Sequence, residues 1–155
     1  MFADDDDDNQ QDDWAVVETT KIYDFVRPLG SMFVWVRFDF ASHPLRRHFA
    51  AAQLSRALWV FWTRKPYLCL VSPGELFAPT GEIRDGDAFN CFRLCFAAAE
   101  ADQIGDISKR FANGAQDFWK IKRKEKIQEL LDDAGDDGDD VMRGNTGLSL
   151  MTGMC

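Results

Sequence analysis

An arginine inside an otherwise apolar segment is the residue of this sequence best suited to bind a ligand. Arg93 lies between Phe92 and Leu94, within residues 89–96. A guanidinium in such surroundings loses hydration, and an anionic partner offsets that cost. Its planar set of N–H donors matches a carboxylate, which it can hold through two parallel hydrogen bonds. The sequence therefore predicts either a carboxylate-binding arginine or an internal ion pair, with Asp87 or Glu75 as the acidic partner.

The histidines and the acidic runs give no comparable signal. His43 and His48 are the only histidines, and no cysteine or carboxylate near them has the spacing of a metal site. We therefore expect surface or helix-capping roles for both. Residues 132–140 are rich in Asp but lack the spacing and the closing Glu of an EF-hand. No metal site and no catalytic residue are predicted in this chain.

Cysteine usage and the apolar runs indicate a cytoplasmic protein. The four cysteines show no CxxC spacing, and on one strand the α-carbons of Cys91 and Cys95 would lie about 13 Å apart, too far for a disulfide. This pattern fits a reducing compartment. Acidic residues stand where a signal peptide would need basic ones, and the longest apolar run, residues 57–62, is too short to cross a bilayer. We expect no membrane association.

The charges divide the chain into three parts. The first 20 residues contain eight acids and no bases, and residues 131–155 contain six Asp and one Arg. The segment between them carries the excess of basic residues. We therefore predict disordered acidic tails at 1–20 and 132–155, and a folded domain at 21–131. The basic run 119–126 is explained by the preference of cations for a helix C-terminus, so we do not expect nucleic-acid binding.

Periodicity within the domain predicts the order strand, helix, strand, strand, helix. The first strand, residues 31–40, has two faces, with Phe33, Trp35, Arg37 and Asp39 on one and Met32, Val34, Val36, Phe38 and Phe40 on the other. A helix is expected from Ser42 to residue 65, strands at 67–71 and 89–96, and a long helix from about 100 to 131. This predicts an α+β domain with a small, mostly antiparallel sheet and helices packed on it.

Three sequence motifs, in order, resemble one family. Residues 28–36 (PLGSMFVWV) are similar to the pattern P-x-G-G-M-F-x-W, residues 70–77 (LVSPGELF) to V-x-P-G-x-x-F, and residues 92–99 (FRLCFAAA) to F-R-x-x-F followed by small residues. Together they resemble the C-terminal small domain of class I/II (fold type I) pyridoxal-phosphate-dependent aminotransferases. The nearest branch contains the aromatic and 2-aminoadipate (kynurenine) aminotransferases. The match extends from Pro28 to about Lys126.

The resemblance implies a reaction and a set of binding residues. Such enzymes are homodimers that move an amino group between an amino acid, here of aromatic or 2-aminoadipate type, and a 2-oxo acid. The resemblance implies that Arg93 binds the substrate α-carboxylate and that Phe77 and Gly30 lie on the substrate side. From the residues themselves, Gly30 predicts a close backbone approach, a positive φ or a plain turn, and Gly74 predicts a type II turn after Pro73. The second glycine of the family pattern is Ser31 in this chain.

The lysine that would bind the family's cofactor has no counterpart in this chain. In the family, the lysine that forms the Schiff base with pyridoxal phosphate belongs to a large domain that precedes the small one. The acidic partner of the pyridine nitrogen lies in the same large domain. No lysine of this chain has the corresponding sequence context. We therefore expect a fragment that does not bind the cofactor or catalyse transamination alone. The alternative is a non-catalytic α+β interaction or regulatory module.

Overall fold

A four-stranded antiparallel sheet carries helices on one face. The computed structural model describes the backbone of residues 20–142 and the side chains of residues 20–135. Over this range the elements are β1 (Tyr23–Phe25), β2 (Phe33–Phe38), α1 (Ala51–Thr63), β3 (Ser72–Pro73), α2 (Gly81–Gly86), β4 (Cys91–Cys95), α3 (Ile104–Trp119) and α4 (Lys124–Met142). The sheet order is β1-β2-β4-β3, with every neighbouring pair antiparallel. The predicted α+β class with a small antiparallel sheet is confirmed.

The core forms where the inner face of the sheet meets α1, α3 and α4. Val36 and Phe38 of β2 and Phe92 of β4 are buried, as the alternation in their strands predicts. Trp62 of α1 is also buried and stacks on Phe111 of α3, with ring centroids 4.7 Å apart. Full burial of side chains of this size stabilises the fold by about 1.5–3 kcal/mol each. Because Trp62 also packs edge-on against Phe38 and Phe92, the helices cover the inner face of the sheet.

The first helix begins later than predicted. Residues 43–49 form turns, and α1 begins at Ala51 rather than at Ser42. The ring Nδ1 of His43 accepts a hydrogen bond from the Leu45 amide (3.1 Å). Gln53 Oε1 accepts the amide of Ala50 (2.9 Å), which caps the true helix start. Local side-chain bonds to the backbone thus replace the first predicted helical turn.

The predicted long helix is two helices, α3 and α4, joined at residues 120–123. The interruption at this joint lets α4 pack against α1, and Ile127 and Leu130 are fully buried. Arg64, just beyond α1, pairs with Glu129 (2.9 Å) and Asp133 of α4. A single straight helix would carry these apolar side chains into water, so packing rather than propensity breaks the helix.

Several shorter elements also differ from the prediction. Strand β1 and helix α2 were not among the predicted elements. Residues 67–71 are not a strand, because β3 contains only Ser72–Pro73. Helix α4 continues to Met142, so the predicted tail boundary at residue 132 falls within it. The predicted tail residues 1–19 and 143–155 lie outside the described residues.

Candidate carboxylate site

The outer face of the sheet holds Arg93 at the middle of a row that crosses three strands. Trp35 of β2 lies directly opposite Arg93 on one side, and Ser72 of β3 lies opposite it on the other. Residues paired in this way in an antiparallel sheet project from the same face. Because Phe92 is fully buried on the inner face, the alternation of β4 places Arg93 on the outer one.

Two phenylalanine rings stack against the guanidinium of Arg93. Its central carbon lies 4.1 Å from the ring centroid of Phe33 and 3.9 Å from that of Phe77. The Phe77 ring also packs edge-on against Trp35, with centroids 5.6 Å apart. Such cation–π contacts contribute about 0.5–2 kcal/mol each, depending on desolvation. The half-buried arginine is therefore stabilised by aromatic rings, a partner that the sequence argument from burial did not include.

The acids considered as internal partners of Arg93 are engaged or remote. Asp87 accepts a hydrogen bond from Arg37 Nη2 at 2.9 Å and another from Asn90 Nδ2 at 3.1 Å. Burial raises the pKa of the Glu75 carboxyl, an effect that the charges of Arg56 and Arg84 oppose. Neither acid forms an ion pair with Arg93, and neither does any other side chain within residues 20–135. In this part of the chain the N–H donors of Arg93 remain available to a ligand.

The structure brings Phe77 to Arg93 but gives Gly30 no close contact. A Cβ added at Gly30 would meet nothing within 4 Å, and its φ is outside the positive range. The positive φ belongs instead to Ser31, at 114°. Neither the predicted close approach nor the predicted positive φ at Gly30 is observed. The residue with the strained backbone is therefore Ser31, which stands at the second glycine of the family pattern P-x-G-G-M-F-x-W.

The turn after β3 differs from the predicted type II turn. Pro73 has the expected φ of −59° and ψ of 139°, but Gly74 does not take a positive φ. A Cβ at Gly74 would lie 2.8 Å from the carbonyl oxygen of Cys91 and would also collide with that of Ala88. Glycine is needed here for close packing, and that packing places the 3₁₀ turn Gly74–Phe77 so that Phe77 covers Arg93.

Neither His43 nor His48 forms part of the candidate carboxylate site or of a metal-ligand cluster among the described residues. Of the two roles predicted for His43, surface or capping, the surface position is wrong, because the side chain is only 3% exposed. Its Nε2 lies 3.2 Å from the carbonyl oxygen of Phe118. Since Nδ1 accepts the Leu45 amide, Nε2 carries the proton and donates it to Phe118. Burial lowers the pKa of the ring. His48 is exposed, and no group of three or more potential metal ligands occurs among the described residues.

The lysines of the described residues do not fit a Schiff-base site for pyridoxal phosphate. Lys21 pairs with Asp24 at 2.7 Å, Lys120 with Asp117 at 2.8 Å, and Lys126 with Glu129. The remaining lysines in this range are exposed. A catalytic lysine of this kind is normally desolvated or placed beside another cation to lower its pKa. No cofactor chemistry is therefore assigned to these residues.

A groove of about 410 Å³ lies at the other end of the sheet. Its lining includes Lys21, Asp24, Arg37 and Phe89, but not Arg93. Lys21 pairs with Asp24, and Arg37 pairs with Asp87, so two of its cations are neutralised by neighbouring acids. With Lys21 and Arg37 paired in this way, the groove offers an anion a weaker charge match than Arg93, which forms no ion pair with the described side chains.

Three residues of the candidate site were not identified as site residues from the sequence. Phe33 and Trp35 were predicted to share a face of β2, and Ser72 was within a motif, but only the strand register places them beside Arg93.

Within residues 20–142, none of the helices is long and apolar enough to cross a membrane. Comparisons of this chain with known protein families, with curated proteins and with solved structures give no match.

Proposed function

We propose that this chain is the small domain of a pyridoxal-phosphate-dependent aminotransferase and that Arg93 binds the α-carboxylate of its substrate. The observation that supports this most directly is the guanidinium held between Phe33 and Phe77 without an acidic partner among the described side chains. The rings contact the guanidinium through its π-faces and accept no paired hydrogen bonds from it, so its N–H donors are left for a ligand. A carboxylate fits that edge by two parallel hydrogen bonds.

The surroundings of Arg93 support an aromatic or other largely apolar substrate. Trp35 is 45% exposed and borders both Arg93 and Phe77. A ligand whose carboxylate meets Arg93 would lay its apolar body beside this indole ring. In the proposed parent reaction, an amino group moves between such an amino acid and a 2-oxo acid in a homodimer. The described residues supply carboxylate binding and orientation, and we expect no transamination by this chain alone.

The alternative, a non-catalytic interaction module, is favoured by one observation. Several large apolar side chains are exposed at the end of β1, in its connection to β2 and just after β4, namely Phe25, Val26, Leu29, Met32 and Phe96. Large exposed apolar surfaces often mark sites that contact another protein. This alternative does not require a ligand at Arg93, so a carboxylate-binding measurement separates the two proposals.

The test is an NMR titration of the chain with 3-phenylpropionate, and with its neutral amide as the uncharged comparison. We expect the carboxylate to bind and to shift the signals of β2 and β4, and the amide to bind at least about tenfold more weakly. Arg93→Ala should weaken carboxylate binding by at least about tenfold. Arg93→Lys should weaken it about three- to tenfold, because an ammonium cannot form the paired planar contact.

Arg123→Ala is the matched control. It removes the same charge from the exposed joint between α3 and α4, and it should leave the affinity unchanged. Equal binding of the carboxylate by the native chain and Arg93→Ala would contradict the proposal, as would equal binding of acid and amide.

A further inference from the structure

Ser72 carries a hydroxyl group for which the described part of the chain provides no partner. The other serines of this range that are not exposed form hydrogen bonds: Ser55 donates to the carbonyl of Phe89 at 2.5 Å, and Ser42 to that of Asp39 at 2.7 Å. The half-buried Ser72 is the exception within residues 20–135. Its hydroxyl faces the same side of the sheet as Arg93.

The backbone around Ser72 is held from three directions. Trp59 Nε1 donates to the carbonyl oxygen of Val71 at 3.1 Å, immediately before Ser72. Pro73, immediately after it, is buried and lies opposite Phe92 in the sheet. Gly74 is packed against the backbone of Cys91. A side chain on such a segment needs little further ordering when a ligand arrives, which favours binding.

The distances across the sheet suit a second donor to one ligand group. Directly opposed residues in an antiparallel pair have α-carbons about 4.5–5.5 Å apart. Because the two side chains also project from the same face, the Ser72 hydroxyl and the Arg93 side chain border the same part of the outer surface. Trp35 lies opposite Arg93 on the other side, so in this row Arg93 stands between an aromatic ring and a hydroxyl.

We propose that Ser72 is a second ligand-binding residue, whose hydroxyl donates a hydrogen bond to the same carboxylate that Arg93 binds. This inference rests on the proposed carboxylate function of Arg93 and adds a neutral donor from a different strand. The carboxylate then receives charge-assisted bonds from the guanidinium and a third bond from Ser72. A carboxylate has enough lone pairs to accept all three.

The test compares Ser72→Ala and Ser72→Thr in the NMR titration with 3-phenylpropionate. Loss of a neutral donor to a charged acceptor should weaken binding by Ser72→Ala about three- to tenfold. Ser72→Thr keeps a hydroxyl, and its β-branch suits a strand, so its affinity should stay within about twofold of the native chain. Ser108→Ala, at an exposed serine of α3, is the matched control and should bind as the native chain does. Thermal unfolding checks that each variant is folded.

The outcomes separate the inference from the function on which it rests. Weaker binding by Ser72→Ala and by Arg93→Ala, with near-native binding by Ser72→Thr, supports the role of Ser72 and the carboxylate site at Arg93. Native affinity in Ser72→Ala with weakened binding in Arg93→Ala overturns the role of Ser72 alone. Native affinity in Arg93→Ala, or no binding of 3-phenylpropionate by the native chain, overturns the carboxylate site itself. Equal weakening by Ser72→Ala and Ser72→Thr also contradicts the inference, because it indicates a requirement for side-chain size rather than for a hydroxyl.

Discussion

Arg37 and Asp87 form an ion pair on the outer face of the sheet, with 2.9 Å between Nη2 and Oδ2. The two residues are 50 positions apart in the chain, and both side chains are more than half exposed. Asp87 is one of the two acids considered from the sequence as a partner for Arg93. Because Asp87 pairs with Arg37, it does not serve as the acidic partner of Arg93.

Removing either considered acid should leave ligand binding at Arg93 unchanged. Asp87→Asn should lower the free energy of unfolding by no more than about 1 kcal/mol, because exposed ion pairs contribute little. Glu75→Gln tests the second acid in the same way. The affinity for 3-phenylpropionate, measured by NMR titration, should match that of the native chain in both variants. A clear gain in affinity in either one would show that the acid competes for the guanidinium, as an internal ion pair requires.

Replacing Ser31 by glycine should stabilise the fold. Ser31 has a φ of 114°, a conformation in which a Cβ is strained and glycine is not. The Ser31 Oγ also accepts the amide of Phe33 at 3.2 Å, and loss of that bond offsets part of the gain. We expect a net increase of up to about 1 kcal/mol in the free energy of unfolding, measured by urea denaturation. Ser31→Ala, which keeps the strain and loses the bond, should be less stable than the native chain.

Two glycines of α3 should respond to alanine in opposite directions. A Cβ at Gly114 would lie 2.6 Å from ring atoms of the buried Trp62, so Gly114→Ala should cost about 1–3 kcal/mol. A Cβ at Gly105 would meet nothing within 4 Å, and Gly105→Ala should gain about 0.5–1 kcal/mol from helix propensity. Chemical denaturation of both variants measures the difference. Similar stabilities in the two would show that α3 does not pack this closely on α1.

The buried His43 should make the fold sensitive to mild acid. Burial lowers the pKa of its ring below the ordinary value of about 6.5, so between these two values the unfolded chain binds a proton that the folded chain does not. The contribution of the neutral ring is thus complete above about pH 6.5 and decreases as the pH falls below that value.

Urea denaturation between pH 8 and 5 measures this dependence. His43→Gln should be less stable at pH 8, because the bonds to Leu45 and Phe118 are altered, but its stability should fall less on acidification. His48→Gln, at an exposed ring, should retain the native pH dependence. A native-like decrease in His43→Gln would assign the acid sensitivity to other groups.

Much of the fold could be predicted from the sequence because its causes are local. The alternation around Val36 and Phe38 reflects the period of two in any strand, and it assigned the faces of β2 correctly. The α+β class followed from the mixture of such patterns. The position of Arg93 among apolar neighbours could likewise be read directly, and it marked the residue at the centre of the candidate site.

The partners of Arg93 depended on the tertiary structure. Phe33 comes from one segment, and Ser72 and Phe77 from another, and only the register of β2, β4 and β3 brings the two segments together at Arg93. Burial alone predicted an anion, whereas the fold supplies two aromatic rings and directs the available acid to Arg37. The break between α3 and α4 has a similar origin, because burial of Leu130 against α1 outweighs the helical propensity of the joint. Local patterns specify which surfaces are apolar, but long-range packing decides which of them meet.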